Sequence, residues 1–390
     1  MSRWLMSRNI IIHVCILGAI GIAGATLLII PAYKKYTEER AVRSFDAQMK
    51  ASTSFPGQVS LYATLLKTVG PSRAQDELFA VMPSNPRTHM INHESGTFLY
   101  QTEGLTGIQQ CKNYFNGGCY HGFVEAYLLD HGLGAMGILM AACRDGRTLA
   151  QSRECNHGLG HAFLAMAGYD KLPTAIHMCE ETLASSTEAI SDCFDGIFME
   201  NNFGGFNVPP LGRWYKASDP LYPCDDPRVA SDKLAHDSCW FMQSQATLNV
   251  HMYPQFGGDL TKASAYCATI PAGGDRITCV EGLYRQIQSI AGGDVAKAKT
   301  LCAQVDPNTV SACLSTIAES SYAFGDQSMA LSICGNLTSL KDECYQSLFE
   351  RITSTAYWHK SEQLAACGNI TDSTYRQKCT TYVENDTSPN

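Results

Sequence analysis

Three residue pairs in the first half of the chain have the type and spacing for metal chemistry. They are His89 and His93 in RTHMINHESG, His121 and Glu125 in CYHGFVEA, and His157 and His161 in CNHGLGHA. Members of each pair are four apart, so on a helix turning about 100° per residue both project to one side. Imidazole with carboxylate is a donor set for first-row transition metals, and paired spacing on helices is how helical proteins build such sites. Neutral imidazole with one carboxylate suits zinc, iron or copper better than calcium or magnesium, which prefer all-oxygen shells. We therefore expect His89, His93, His121, Glu125, His157 and His161 to converge on one or two ions. Asp195 and Glu200 follow as candidate catalytic bases behind the ligands. Haem held without covalent attachment between two opposed histidines is a variant. The competing explanation is that these side chains only serve helix N-termini through hydrogen bonds and the dipole.

The elements that would position these pairs are marked by cysteine. Of 17 cysteines, 16 lie beyond residue 100, in eight consecutive pairs from Cys111/Cys119 to Cys367/Cys379. Partners are 8 to 15 apart, and first members of successive pairs are 32 to 45 apart. A period in that range belongs to stacked helical hairpins. Stretches such as ALSICGNLTSLKDECYQSLFERI read as a helix, a polar turn and a second helix opened by cysteine. No strictly alternating run flanked by hairpin dipeptides suggests strands. The expected fold is all-α, an array of about eight disulfide-stapled hairpins forming an open solenoid or a closed ring. One disulfide per hairpin is favoured because each repeat then closes itself; bridges between neighbouring repeats are the rival. AQDELFAVMP, ahead of His89, reads as the first helix of a hairpin without cysteines.

The repeats are not equivalent. Cys-x-[His/Asp]-Gly occurs at Cys119, Cys155 and Cys193, persists as Cys-Val-Glu-Gly at Cys279, and is lost elsewhere. Scaffold constraints would act on all repeats alike, so the early polar excess asks for another cause. Gly122 with Ala126, and Gly158 with Ala162, are small pairs that allow another backbone to approach. The Cys-x-His-Gly-x-Gly-His string resembles an uncharacterised group of membrane-anchored or secreted cysteine-rich bacterial proteins. That resemblance covers roughly residues 85–205 and implies no activity; Thr88-His89 departs from the cysteine expected there.

Residues 10–30 form a run of 21 residues without a formal charge, long enough for a ~30 Å hydrocarbon core. The organisation expected is a cytoplasmic stretch 1–9, a transmembrane helix 10–30, a charged stalk 31–56, His-rich hairpins 57–205 and later hairpins 206–390. Lys34, Lys35, Arg40, Arg43 and Lys50 would hold the bulk of the chain inside by the positive-inside rule. Sixteen paired cysteines argue for an oxidising exterior and outweigh it. Whether that exterior is a periplasm, a cell surface or a secretory lumen stays open; Asn336, Asn369 and Asn385 each begin Asn-x-Thr. With 29 basic against 37 acidic residues, nucleic acid is not an expected partner. Protease, phosphate-loop, haem-attachment and serine-elbow motifs are absent. Residues 203–227, with Trp214 and Tyr215, form a long segment expected to act as a lid. Two functional classes follow: a metal-binding protein, with or without catalysis, or an interaction scaffold offering a groove to a protein, a peptide or a second copy.

Overall fold

A computed structural model describes residues 31–385 apart from 83–85, 113, 145–148, 204–212, 251, 324–326 and 354–359. The apolar run 10–30 and the stretch before it lie outside the described residues. Among the described residues no single helix is long and apolar enough to cross a membrane, and there is no strand.

The expected all-α architecture is what the chain adopts. Helix α1 (residues 31–51) leads into α2 (Phe55–Val69), α3 (Pro71–Val81) and α4 (Pro86–Glu103). A short 3-10 helix (Gly104–Gln110) then precedes α5 (Gly118–His131). There follow α6 (Met136–Arg144), α7 (Leu149–Ala167), α8 (Leu172–Leu183), α9 (Thr187–Phe203), the short α10 (Pro227–Ala230), α11 (Lys233–Ala246), α12 (Leu260–Cys267) and α13 (Gly274–Ala291). The array ends with α14 (Val295–Val305), α15 (Val310–Ala323), α16 (Gln327–Asn336), α17 (Lys341–Arg351), α18 (Lys360–Gly368) and α19 (Ser373–Asn385). Aspartates start several of these helices by accepting backbone N–H bonds, as Asp232, Asp259 and Asp294 do for α11, α12 and α14.

All eight disulfides join adjacent cysteines, from Cys111–Cys119 to Cys367–Cys379, and every half-cystine is buried. Six of them staple one helix to the next. The other two depart from the helix-to-helix plan: Cys111 follows the 3-10 helix, and Cys224 lies in irregular chain before α10. The half-cystine-bearing second helices α5, α7, α9, α11, α13, α15, α17 and α19 pack each on the next and form the inner wall. The wall curves enough for His89 and Met90 of α4 to share a cavity with Arg285, Gln286 and Ser289 of α13.

Within the expected stalk 31–56, helical over 31–51, Phe45 and Met49 are buried in one cluster with Tyr62 and Leu66 of α2. Arg73 of α3 also pairs with Glu38 and Glu39. The described part of 203–227 is packed rather than lid-like: Trp214 is buried, stacks on Tyr222 and donates from Nε1 to the Asp170 carbonyl. The cysteine-free hairpin expected ahead of His89 is α3 with α4.

Glycine sets the spacing of the early helices. A methyl group at Gly96 of α4 would overlap the Cys119 carbonyl oxygen, and one at Gly122 of α5 the His93 carbonyl oxygen. Gly160 of α7 and Gly196 of α9 face the Cys193 and His157 carbonyl oxygens in the same way, and Gly158 rests on Val124 and the His121 backbone. The glycine of the Cys-x-[His/Asp]-Gly signature thus permits backbone-to-backbone contact between parallel helices.

Two outcomes follow. Gly122→Ala, which cannot be accommodated without moving α4, should lower stability by ~1–3 kcal/mol, while Gly134→Ala, which meets nothing within 4 Å, should leave it unchanged; thermal unfolding of both variants checks this. Replacing Cys302 and Cys313 with serine should destabilise α14 and α15 by ~3 kcal/mol. Hydrogen exchange should locate that loss in the later repeats and leave α4 to α9 protected.

Candidate metal centre

Helices α4, α5 and α7 run parallel at glycine-contact distance, so their i,i+4 pairs arrive at one level. His89, His93, His121 and His161 are all buried, and one ring nitrogen from each lies within 4.8 Å of the others. His93 Nε2 is 3.2 Å from His89 Nε2, and His121 Nδ1 is 3.3 Å from that same atom. Four nitrogens around a tetrahedral ion at about 2.0–2.1 Å stand roughly 3.3–3.4 Å apart. The two measured separations are close to that value.

The outward nitrogens settle which inward ones carry lone pairs. His89 Nδ1 lies 2.7 Å from the Phe115 carbonyl oxygen and must donate to it, which leaves Nε2 unprotonated. The carbonyl is delivered by Phe115, Asn116 and Gly117, which take consecutive positive φ values of 52°, 53° and 72° before α5 begins. A Cβ at Gly117 would also run into the Glu154 carboxylate. His121 Nε2 lies 3.0 Å from Glu154 Oε2 and donates to it when that carboxylate is ionised, which leaves Nδ1 facing inward with its lone pair. His161 Nδ1 is 2.8 Å from Glu200 Oε2, and its Nε2 is buried with no hydrogen-bond partner. His93 Nδ1 faces Glu125 Oε2 at 4.0 Å. Each imidazole therefore has an oxygen on its outer side and presents its other nitrogen to a common centre, the outer-shell pattern of metal-bound histidine.

Electrostatics agree. Burial pulls the His89 imidazole down to about 3, partly opposed by the Phe115 carbonyl. Burial, then the neighbouring imidazoles, holds His93 and His121 well below their ordinary value. These rings are neutral at pH 7 and have lone pairs to give. Burial raises Glu125 and Glu154 to about 7. It acts the same way on Glu200, but the hydrogen bond and charge of His161, then the Tyr169 hydroxyl and the charge of Arg213, outweigh it and keep that carboxyl below the usual range. Introducing a divalent cation among neutral rings would favour ionisation of all three carboxylates.

Of the six ligands expected from spacing, His89, His93, His121 and His161 meet at the centre. Glu125 stands behind His93. His157 stacks on His121 with ring centroids 4.5 Å apart, outside the group of four; its Nε2 is buried and unpartnered. Glu200 does adjoin the site, as the acceptor for His161. Asp195 does not: five residues earlier on α9 it turns to another face, where burial raises it to about 6 while Ser238 and Arg285 oppose the rise. Haem does not fit either, since four rings this close leave no slot for a macrocycle between two axial imidazoles. Glu154 was not anticipated. Its only sequence signal is a charged Arg153-Glu154 step immediately before Cys155. A second, looser group, His236 with Asp237 and Asp275, is only half-buried; there His236 Nε2 already accepts from Trp240 and Asp237 pairs with Lys233.

No protein-family model, no curated protein and no solved structure matches this chain.

Because Glu200 orients His161, Glu200→Gln should weaken metal binding about 10- to 100-fold while the helices persist. Competition against a chromophoric chelator measures the loss, and an unchanged affinity would show that the carboxylate does not support the ligand.

Proposed function

We propose that this chain is an extracytoplasmic transition-metal protein, held at a membrane by residues 10–30, in which His89, His93, His121 and His161 are the ligands. Eight disulfides indicate an oxidising environment outside the cytoplasm. The observation that carries the metal assignment is the facing of lone pairs. His89 Nε2 and His121 Nδ1 lie on the inner side of rings whose other nitrogen meets an oxygen, His161 Nε2 is buried without a hydrogen-bond partner, and all three sit within 4.8 Å of one another. Without a cation, a single N–H from His93 would serve several facing ring nitrogens in a low-dielectric interior, which is costly. A bound ion satisfies them together.

Four neutral imidazoles suit zinc, copper and iron, and separations of 3.2 and 3.3 Å favour a four-coordinate ion such as zinc. A catalytic role is a second reading, favoured by one feature: a cavity lined by His89, Met199, Gln245 and Arg285, with room for about one water, adjoins the edge of the site. In that reading a bound metal supplies Lewis acidity, and the chain keeps Glu200 in place through Tyr169 and His161.

The full chain, purified after growth with added zinc, should contain about one transition-metal ion per chain by elemental analysis, as a single four-ligand centre requires. The double variant His93→Ala/His161→Ala should contain none, with helicity and disulfides unchanged. A metal-free wild-type chain, or a double variant with full metal content, would return the protein to the class of interaction scaffolds.

A further inference from the structure

Large apolar side chains exposed among the described residues are few, and they are unevenly placed. Five of the nine are Tyr33, Tyr36, Leu129, Leu133 and Ile138. The first two lie on the opening turns of α1. The other three surround Gly132, where α5 ends and the chain turns into α6. From Gly132 to Cys143 the sequence GLGAMGILMAAC contains no charged residue.

These two groups belong to one end of the molecule. Gln58, near the start of α2, donates to the Met49 and Ser52 carbonyls at the end of α1, and its own Oε1 accepts from Arg87 at the start of α4. Tyr62, one turn further along α2, meets Ser95 of α4. Helices α2 and α4 therefore run in one direction and α1 runs against them. The beginning of α1 is fixed at the far end, where Glu38 and Glu39 pair with Arg73 just after α2 has ended. Helices α4 and α5 finish at that end too: Tyr100 of α4 bonds to Asp130 and His131. Residue 31 lies about 10 Å beyond Glu38 along the helix axis.

We infer that this end of the first hairpins, with Leu129, Leu133 and Ile138, rests in the interfacial layer of the bilayer that residues 10–30 enter. The inference rests on the membrane reading of residues 10–30 and is independent of the metal. The chain outside the described structure joins at this end, and its 21 residues without charge commit the occupant of the patch to lipid. Tyr33 and Tyr36 flank Lys34 and Lys35, the aromatic and cationic combination that sits at headgroup level. Leu129, Leu133 and Ile138 are 55, 42 and 58% exposed and would enter the acyl boundary beside them. The glycine-lined turn between them allows a shallow contact. The metal centre, built on the opening turns of α4 and α5, is then directed away from the membrane.

The test uses the full chain in phosphatidylcholine–phosphatidylglycerol vesicles, with or without bromine on the acyl chains. Tryptophan is introduced by Ile138→Trp, by Leu133→Trp, or by Thr53→Trp at the opposite end. Emission added by the first two substitutions should be blue-shifted and lose about half its intensity to brominated lipid, as expected for a ring inserted ~5–10 Å; the Thr53→Trp increment should be unaffected. Equal quenching at all three positions, or none at 133 and 138 in chains that float with the vesicles, overturns the inference while leaving the anchor intact. Failure to float removes the anchor and the inference together. Blue-shifted emission insensitive to brominated lipid, with a concentration-dependent dimer, would assign the patch to a second copy instead.

Discussion

The structure depends on the contact of helix backbones at glycine. Side chains as short as histidine can meet nitrogen to nitrogen across three helices only if the helices themselves nearly touch. Gly96 against Cys119, Gly122 against His93, and Gly158 against His121 provide that contact on α4, α5 and α7. Gly160 against Gly196 repeats it for α9, which lets Glu200 reach His161. The Cys-x-His-Gly string is in this light one device with three parts. Cysteine fixes the helix to its own hairpin, glycine three residues on admits the preceding helix with its histidine, and the histidine between them joins the centre in α5 and stacks behind it in α7.

Such a centre is expensive for a small helical body. Four imidazoles, the carboxylates of Glu125, Glu154 and Glu200, and the Asn92–Ser95–Tyr62 chain of hydrogen bonds all occupy space that apolar side chains would otherwise fill. Polar groups in the interior are tolerated when each has a partner, and become a liability when one is lost. Disulfides compensate because they act on the unfolded chain and ask nothing of the core. Cys119 and Cys155 lie two residues from His121 and His157, so the covalent closure is applied where the polar burial is greatest.

Much of this was legible from spacing. The cysteine period gave the hairpins and the pairing, and i,i+4 repetition gave six candidates, four of which meet in one buried cluster on three helices. Choosing among six candidates was beyond it, because His121/Glu125 and His157/His161 occupy corresponding places in their repeats. Which member points to the centre is decided by the offset between neighbouring helices, a tertiary quantity. Thus His121 joins the cluster through the first position of its repeat and His161 through the second, while His157 stacks behind His121. Glu154 was hidden for the same reason, since its partner His121 is 33 residues away and one helix over. Asp195 misled because the signature aligns it with His121 and His157, although α9 no longer faces the site there. The Phe115 carbonyl had no side-chain signal at all.

The later repeats are more than an extension of the wall. Six residues beyond the second cysteine of each early hairpin stand Glu125, His161 and Met199; further on the same row carries Gln245, Arg285 and Glu319. Curvature brings the ends of this row within electrostatic range. Arg285 opposes the rise that burial imposes on Asp195 and Glu154, and Arg351 of α17 does the same for Glu154 and Asp192. The early repeats concentrate carboxylates that stand behind the clustered imidazoles, Glu154 beside His121, Glu200 beside His161 and Glu125 beside His93. Two guanidinium groups from the later repeats offset that surplus from across the concave side, Arg351 while bonded to Glu319 at 2.6 Å. An array cut after α9 would keep every ligand and lose these two cations from the field around them. The later repeats thus add to a counter-charge that begins within the early ones, where Arg153 of α7 is the strongest cation acting on Glu154 and bonds to Asp192 at 3.1 Å.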